Sequence, residues 1–314
     1  MSFLKTTQEG FRSGFIALIG RPNVGKSTLV NKLVGKKVAI TSPVAQTTRN
    51  RLKAIVTTPS AQLVFVDTPG IHKPHHLLGE RLVQSARRSI GEVDVVVLVF
   101  EGCYSPGQGD AFIVKLLENH KLPVLVVLNK WDLVDVNEYN IRKEQYQKLF
   151  AKTNWPILCG SSITGDGFES LVDSISCFLP LGPYLYPSDM ISDQPQIILL
   201  GELIREQVLF CTREEVPHSV AVMIDRLEEI PLVKKGKVVG KQTAVLATVL
   251  VERKSQKGIL IGKGGSMLKR IGQGARLQMQ KLIIGSVYLE LFVKVVPDWR
   301  SKPARLSELG YEGN

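Results

Sequence analysis

The stretch Gly20-Arg21-Pro22-Asn23-Val24-Gly25-Lys26-Ser27 decides the fold of the first part of this chain. It follows an apolar run over residues 15–19 and precedes residues 27–34, whose pattern is typical of a helix. A strand, a glycine-rich turn and a helix are the context in which G-x-x-x-x-G-K-[ST] cradles phosphates. The glycines let backbone N–H groups point at phosphate oxygens, and the start of the helix adds partial positive charge. The sequence therefore predicts a nucleoside triphosphate site that includes this whole stretch and the adjacent Thr28.

Two side chains of this motif have separate tasks. The ammonium group of Lys26 reaches the outer phosphates, so we expect it to take part in catalysis. The hydroxyl of Ser27 is a ligand for the Mg²⁺ that accompanies the phosphates. The competing interpretation is a glycine-rich turn that contains a chance lysine. The match at every fixed position, together with the strand and helix around it, favours the phosphate site.

A second motif, Asp67-Thr68-Pro69-Gly70, comes directly after the apolar run 61–66. A carboxylate at the end of a strand can hold Mg²⁺ through water, and a glycine three residues later offers a backbone N–H to the γ-phosphate. D-x-x-G is a weak motif alone, but its position one strand after a phosphate loop strengthens it. We therefore place all of these residues in the nucleotide site, with Asp67 as a Mg²⁺ ligand and Gly70 in catalysis.

A third motif, Asn129-Lys130-Trp131-Asp132, follows the apolar run 124–128 and predicts which base is bound. The carboxylate of Asp132 can accept hydrogen bonds from both N1 and N2 of guanine, and adenine offers no such donor pair. We expect Asn129 to tie this loop to the phosphate loop and the stem of Lys130 to cover the base. The sequence therefore predicts that the ligand is GTP or GDP. Backbone contacts to the guanine oxygen are expected from a later loop, Ser161-Ser162-Ile163.

The polar residues 41–50 show no periodicity, which suits a loop that orders around a γ-phosphate and Mg²⁺. A threonine hydroxyl in this loop would complete the Mg²⁺ shell. We choose Thr48 as this metal ligand and catalytic residue because it directly precedes Arg49. The neighbouring Thr47 is the alternative.

Apolar runs that alternate with helical stretches predict an open α/β sheet of roughly six strands, mixed but mostly parallel. The runs 52–57 and 61–66 are close enough to form a hairpin. Three prolines between residues 180 and 187 cannot continue a helix and mark a stiff linker. The predicted division is a first domain at 1–180, a linker at 181–195 and a second, α+β domain at 196–314.

The pattern of the second domain predicts a helix, two strands, a pair of helices rich in basic residues and a last strand. Between the paired helices lies a G-x-x-G stretch, the backbone clamp with which a KH module holds single-stranded RNA. The alternative is an ordinary helix turn with a solvated basic face, and the apolar residues 259–261 could equally belong to the core. The residues that we assign to RNA binding are Ile261, Gly262, Lys263, Gly264, Gly265, Lys269 and Arg270.

The net charge of +11 suggests a polyanionic partner, but it does not single out one domain. Residues 1–185 hold 21 basic and 15 acidic residues, and residues 186–314 hold 19 and 14, so the two parts carry +6 and +5. The local bias is sharper, since eight basic residues and one acid lie between Glu252 and Lys281. Four scattered cysteines without C-x-x-C spacing argue against zinc or a disulfide framework and favour a cytoplasmic protein.

These motifs resemble those of Ras-like GTPases of the bacterial type, and more narrowly the Era family of ribosome-assembly GTPases. The resemblance rests on residues 20–27, on Gln46-Thr-Thr-Arg49, on residues 67–74 and on the second domain, which looks like a type II KH domain. It covers nearly the whole chain, from about residue 14 to 311. It implies a Ras-like P-loop GTPase domain, Mg²⁺ as cofactor, and the 3′ end of 16S rRNA and the 30S subunit as partners. We expect a monomer.

The same resemblance raises a question about catalysis. Ras-type enzymes carry a water-orienting glutamine directly after the D-x-x-G glycine, whereas this chain has Ile71 there. In similar GTPases a K⁺ ion, held partly by the phosphate-loop asparagine, supplies charge instead. Asn23 occupies that position, so the resemblance implies a catalytic K⁺ and slow, K⁺-stimulated hydrolysis; a turn-capping role for Asn23 is an equal alternative.

Two other functions compete with a GTP-switched RNA-binding assembly factor. The first is a nucleotide-gated peripheral membrane protein whose basic surface meets anionic lipid, because Era relatives are reported to associate with the inner membrane. The second is an RNA-binding module with an inert GTPase domain, which the apolar Ile71 keeps open. No apolar run reaches the roughly 18 residues of a membrane-spanning helix.

Overall fold

The structure, a computed structural model, describes residues 9–42, 44, 52–67, 91–234 and 237–309. The first part of the chain forms a six-stranded sheet between two layers of helices. Its strands are β1 (Arg12–Ile19), β2 (Leu52–Thr57), β3 (Ala61–Asp67), β4 (Val95–Glu101), β5 (Val124–Asn129) and β6 (Ile157–Cys159). Its described helices are α1 (Lys26–Val34), α2 (Gln108–Leu117), α3 (Tyr139–Leu149) and α4 (Phe168–Phe178).

The strand order is β2-β3-β1-β4-β5-β6, with β2 antiparallel to β3 and all other neighbours parallel. This confirms the predicted hairpin and the mixed, mostly parallel sheet. Helices α1 and α4 cover one face and α2 and α3 the other, so the central strands are buried on both sides and read as continuous apolar runs. Because parallel strands end at one edge of the sheet, the loops that carry the predicted motifs meet there.

The segment predicted as a linker packs along the first sheet over much of its length. Leu181 forms a bridge with Arg12, and Ser192 forms one with Ala54. The buried Gln62 side chain accepts hydrogen bonds from the backbone of residues 185 and 186 and donates one to the carbonyl of residue 186. The proline-rich segment therefore packs against the first domain, a contact that sequence patterns did not predict.

The second part of the chain is a three-stranded sheet, β7-β8-β9, with helices on one face. Strands β7 and β8 are antiparallel, and β8 and β9 are parallel. Its elements are α5 (Gln196–Cys211), α6 (Val216–Ser219), β7 (Ala221–Lys234), β8 (Lys237–Val251), α7 (Lys254–Ile261), α8 (Ser266–Met279), β9 (Ser286–Val295) and α9 (Pro303–Glu308). The apolar alternation in the sequence marks strands only at 219–227 and 244–253, and the β7–β8 ribbon extends beyond both, because exposed charged residues in its outer half interrupt that alternation.

The two domains meet where α1 leads into the loop at 41–50. Ile40 is 3% exposed and belongs to the hydrophobic core of the second domain. Glu206 of α5 is 1% exposed, and its carboxylate accepts hydrogen bonds from Lys37 Nζ at 2.5 Å and from the backbone N–H of Thr41 at 2.8 Å. The first helix of the second domain thus holds the start of a loop that the sequence places at the nucleotide.

The C-terminal residues cover part of the outer face of the second sheet. Trp299 is fully buried against Ala221, Leu250 and Leu306, and its indole N–H donates to the carbonyl of Ser219 at 2.8 Å. This packing gives the tryptophan of the C-terminal tail a structural role. Within the described ranges, no helix combines the length and the apolar character that crossing a bilayer requires.

Candidate functional site

The phosphate loop joins β1 to α1 through left-handed backbone conformations. Asn23 has φ +66° and Gly25 has φ +98°. A Cβ atom on Gly25 would lie 2.3 Å from Asn129 Nδ2, and one on Gly20 would lie 2.3 Å from the carbonyl oxygen of Val99. Both glycines of the motif are therefore required by close packing inside the protein, in addition to any ligand that approaches the loop.

Lys26 is the first residue of α1 and is only 6% exposed. Its ammonium group reaches back across the loop and donates to the carbonyl oxygens of Gly20 at 3.0 Å and Arg21 at 2.9 Å. A cation held at the centre of a ring of backbone groups can transfer its hydrogen bonds to phosphate oxygens that enter the ring. Ser27 and Thr28 follow in the first turn of α1, half-buried, with their side chains at the helix N-terminus.

Asn129 connects the loops that surround the base and the phosphates. Its side chain is 1% exposed, and its Nδ2 donates to the carbonyl oxygen of Val24 at 2.8 Å. Its Oδ1 accepts from the backbone N–H of Ser162 at 2.9 Å and from the Ser162 hydroxyl at 2.8 Å. The contact predicted between Asn129 and the phosphate loop is therefore present, and the structure adds Ser162 to the same network.

The residues predicted to recognise the base belong to the two loops that Asn129 connects. Asp132 is exposed, in a 3₁₀ turn at Trp131–Leu133, and the backbone N–H of Trp131 donates to the carbonyl oxygen of Gly160 at 3.1 Å. In the loop after β6, the buried Ser161 hydroxyl accepts from the backbone N–H of Ile163, whose side chain is 73% exposed. The carboxylate of Asp132 is therefore accessible to a base that offers two donors.

Several predicted residues lie outside the described part of the chain. These are Thr47, Thr48, Thr68, Pro69, Gly70 and Ile71. The backbone of Asp67 is described, and its register with Leu18 of β1 places the end of β3 beside the entry to the phosphate loop. An alcohol and a carboxylate are hard oxygen donors of the kind that Mg²⁺ prefers, so the residue types at these two positions fit this metal.

The predicted RNA clamp is a turn of glycines between α7 and α8. Gly262, Gly264 and Gly265 have φ values of +69°, +59° and +81°. A Cβ atom on Gly262 would lie 2.7 Å from Met267 Cβ, whereas nothing lies within 4 Å of one on Gly264 or Gly265. Gly262 is needed for the turn itself, and the other two leave the backbone open to a ligand.

A groove of about 420 Å³ runs from this clamp along α8 to the edge strand β9. Gly265 and Lys269 line it, together with Gln273, Arg276, and two leucines and Glu290 of β9. Among the other predicted residues, Lys263 and Arg270 are exposed near the clamp, whereas Ile261 is half-buried and packs against the domain core. Sequence reasoning counted Arg276 only as part of a basic cluster and missed Gln273, since neither belongs to the G-x-x-G motif.

Arg21 connects the phosphate loop to α2 as well. Its Nε donates to Asp110 Oδ1 at 2.6 Å, and the fully buried Asp110 also accepts from the backbone N–H of Gly107. Nearby, burial and then the charge of Asp110 raise the pKa of Tyr146 well above its usual range. Burial raises the pKa of the Cys103 thiol, and the charge of Glu101 adds to this effect. No sequence pattern marks Asp110, because a single aspartate in the first turn of a helix is ordinary.

Comparisons with known proteins agree with both halves of this description. A family model described as a 50S ribosome-binding GTPase matches residues 15–130, and one described as a KH domain matches residues 215–300. GTPase Era of a Nostoc species is 58% identical over 301 residues, which are 96% of this chain and 90% of that protein. The chain belongs to the GTPase Era family. GTPase Era of Rippkaea orientalis is 54% identical over 312 residues, 99% of this chain and 96% of its own length.

Solved structures of Era share the whole architecture. One is Era in complex with MgGDPNP and nucleotides 1506–1542 of 16S ribosomal RNA, which matches with a TM-score of 0.89 and 37% identity over 96% of this chain and 99% of that chain. A variant of Aquifex aeolicus Era bound to GDP·AlF₄⁻ matches with the same TM-score, identity and coverage. The predicted combination of a Ras-like GTPase domain and a KH domain is therefore confirmed.

Proposed function

We propose that this Era-family GTPase is a switch that binds GTP, hydrolyses it slowly and clamps the 3′ end of small-subunit ribosomal RNA during assembly of the 30S subunit. The observation that carries the nucleotide half of this proposal is the bridge from Asn129 to both Val24 and Ser162. It joins the phosphate loop, the base-specificity loop and the loop after β6 into one site. The RNA half is supported by the clamp and its basic groove, and by the relative that binds 16S rRNA.

In the proposed site, residues 20–28 bind the phosphates, and Asp132 accepts from N1 and N2 of guanine. Ser27 and Asp67, together with Thr48 or Thr47, hold Mg²⁺, which neutralises charge on the β- and γ-phosphates when bound. Lys26 moves its hydrogen bonds from the loop carbonyls to phosphate oxygens. We keep the division into residues 1–180, 181–195 and 196–314, and we propose that the protein acts as a cytoplasmic monomer.

A K⁺ ion is the proposed substitute for the missing water-orienting glutamine. Asn23 is exposed in the phosphate loop with a left-handed backbone, so its side-chain oxygen can serve a cation as well as a turn. Phosphate release under multiple-turnover conditions is expected to be faster in KCl than in NaCl, and Asn23→Ala is expected to remove that difference. Asn140→Ala, on the exposed surface of α3, is the matched control. Equal rates of phosphate release in both salts would contradict the role of K⁺ and would leave the proposal of GTP binding unchanged.

The RNA proposal is tested by fluorescence anisotropy with a labelled 3′-terminal segment of 16S rRNA. Binding is expected in the presence of a non-hydrolysable GTP analogue, and a shuffled RNA of the same composition should bind more weakly. Equal affinity for the two RNAs would contradict a specific clamp and leave only electrostatic attraction to a basic surface.

A further inference from the structure

A carboxylate that belongs to none of the sequence motifs lies beside the base-specificity loop. Glu101 is the last residue of β4, and its Oε1 is 2.5 Å from Lys130 Nζ. Both side chains are partly exposed, at 20% for Glu101 and 29% for Lys130. Lys130 is the residue whose stem is expected to cover one face of guanine, so Glu101 holds the far end of a base-contacting side chain.

The backbone around this ion pair is fixed from several directions. Glu101 pairs in register with Asn129 of β5, and the Gly102 N–H donates to the carbonyl oxygen of Asn129 at 2.7 Å. The carbonyl oxygen of Glu101 accepts a hydrogen bond from the Tyr146 hydroxyl at 3.1 Å. A Cβ atom on Gly102 would lie 2.9 Å from the Trp131 ring, which shows how closely the end of β4 packs against the loop. The carboxylate therefore extends from an anchored position.

In the described part of the chain, the contacts of Lys130 lie at its backbone and at its ammonium group. Its backbone adopts φ +60°, an uncommon conformation for a residue with a side chain, and its ammonium group meets Glu101. A lysine stem free in solvent populates many rotamers, and it loses that freedom when it lies flat on a base. An ion pair that is already formed in the protein fixes the ammonium before the nucleotide arrives, which reduces the entropy lost on binding.

We infer that Glu101 is a positioning residue for guanine-nucleotide recognition, which acts by holding Lys130 so that its methylene stem lies over the base. This inference rests on the proposed nucleotide site and adds a residue to it. Glu101 touches neither base nor phosphate in this role. It supplies affinity through Lys130, and the hydrogen-bond specificity stays with Asp132.

The experiment measures the dissociation constant of fluorescent GDP for four proteins: the unchanged chain, Glu101→Gln, Lys130→Met and the double variant. Glutamine keeps the size of the side chain and removes its charge, and methionine keeps an unbranched stem and removes the ammonium. We expect Glu101→Gln to weaken binding about three- to fivefold, the range of a partly exposed ion pair. Because both changes break the same contact, the double variant should bind as weakly as Lys130→Met alone.

Two further readouts separate positioning from a general structural effect. The loss caused by Glu101→Gln should shrink as KCl rises from low to high concentration, since salt screens a partly exposed pair. The turnover number at saturating GTP should stay unchanged, while KM rises. Glu138→Gln is the matched control, because Glu138 also pairs with a cation, Arg142, and is 54% exposed.

Additive losses in the double variant, or unchanged GDP affinity in Glu101→Gln, would overturn the inference. If Glu101→Gln fails to fold, Lys130→Met still tests it, because its affinity should fall less steeply with salt than the affinity of the unchanged chain. Failure of the nucleotide site itself looks different: the unchanged chain would then bind ADP as well as GDP. If the unchanged chain prefers GDP to ADP and Glu101→Gln binds GDP with unchanged affinity, the proposed function stands and only this inference fails.

Discussion

The side-chain amide of Asn129 donates to the backbone carbonyl of Val24 at 2.8 Å, across 105 residues of sequence. The same side chain accepts from Ser162, so one buried amide satisfies polar groups of two other loops and joins them to its own. A buried network of this kind is rigid only while every member has its partner. The geometry of the nucleotide site therefore depends on a residue that need not contact the nucleotide strongly.

We expect Asn129→Ala to weaken GDP binding about 10- to 100-fold, since buried polar groups of Val24 and Ser162 would lose their partners at a cost of about 1–3 kcal/mol. Titration with fluorescent GDP measures this effect. Asn140→Ala on the surface of α3 should bind GDP normally. Normal binding by Asn129→Ala would show that the loops hold their positions without the bridge.

Asp132→Asn should change the preferred base from guanine to xanthine. The carboxylate of Asp132 accepts a hydrogen bond from the N2 amino group of guanine. Xanthine has a carbonyl oxygen at this position, and the amide of asparagine can donate to it. We expect affinity for GTP to fall at least about a hundredfold and affinity for XTP to rise. Competition of GTP and XTP for a labelled nucleotide gives both numbers. Retained preference for GTP would falsify the assignment of Asp132.

Gly264→Asp should weaken RNA binding at least about tenfold, because a carboxylate would face the phosphate backbone at the clamp. The position is suitable because an added Cβ meets nothing within 4 Å and aspartate tolerates φ +59° better than most residues. At Gly262 the same change would also clash with Met267, which lies 2.7 Å from an added Cβ. Anisotropy with the 16S segment measures the loss.

The control for this prediction is Gly240→Asp in β8, which is exposed and also has no atom within 4 Å of an added Cβ. It adds the same charge to the same domain away from the clamp. Equal weakening by both changes would indicate that net charge alone governs RNA binding, and would remove the clamp assignment.

Glu206→Gln should destabilise the contact between the domains, because Lys37 and the Thr41 N–H would lose a buried charge partner. Breaking a buried ion pair lowers the free energy of unfolding by about 3 kcal/mol when the remaining charge stays buried. We expect a smaller loss here, because Lys37 is 27% exposed. Urea unfolding measures the change. Glu229→Gln is the matched control, since Glu229 is 66% exposed and its ion pair with Lys241 contributes at most about 1 kcal/mol.

The local chemistry of the site was predictable from short stretches of sequence, because each motif acts through its own strand, turn and helix. Gly25 and Lys26 predicted a phosphate loop since few other functions need those residue types at that spacing. The G-x-x-G turn predicted a clamp for the same reason, and its three left-handed glycines are present. The hairpin and the mostly parallel sheet of about six strands followed from apolar runs and loop lengths, whereas the order of the strands came only from the structure.

The residues that sequence reasoning missed share one property: their partners are distant in the chain. Asp110 meets Arg21, Glu101 meets Lys130 and Glu206 meets Thr41, and no local pattern marks any of the acids. Gln62 holds the linker against the sheet in the same way. A single carboxylate or amide carries no periodicity, so only the folded chain shows which cation or backbone group it contacts.

The sequence alone thus determined the family, the nucleotide class and the two-domain plan, because these depend on motifs whose chemistry is local. Only the tertiary structure decided how the phosphate loop is held, through Asn129, Arg21 and Lys26, and which face of α8 lines the groove beside the glycine turn. It also decided that Glu206 of α5, in the KH domain, accepts hydrogen bonds from the segment after α1. The physical reason is that hydrogen bonds and ion pairs form between whichever groups the fold brings within about 3 Å, whatever their separation in sequence.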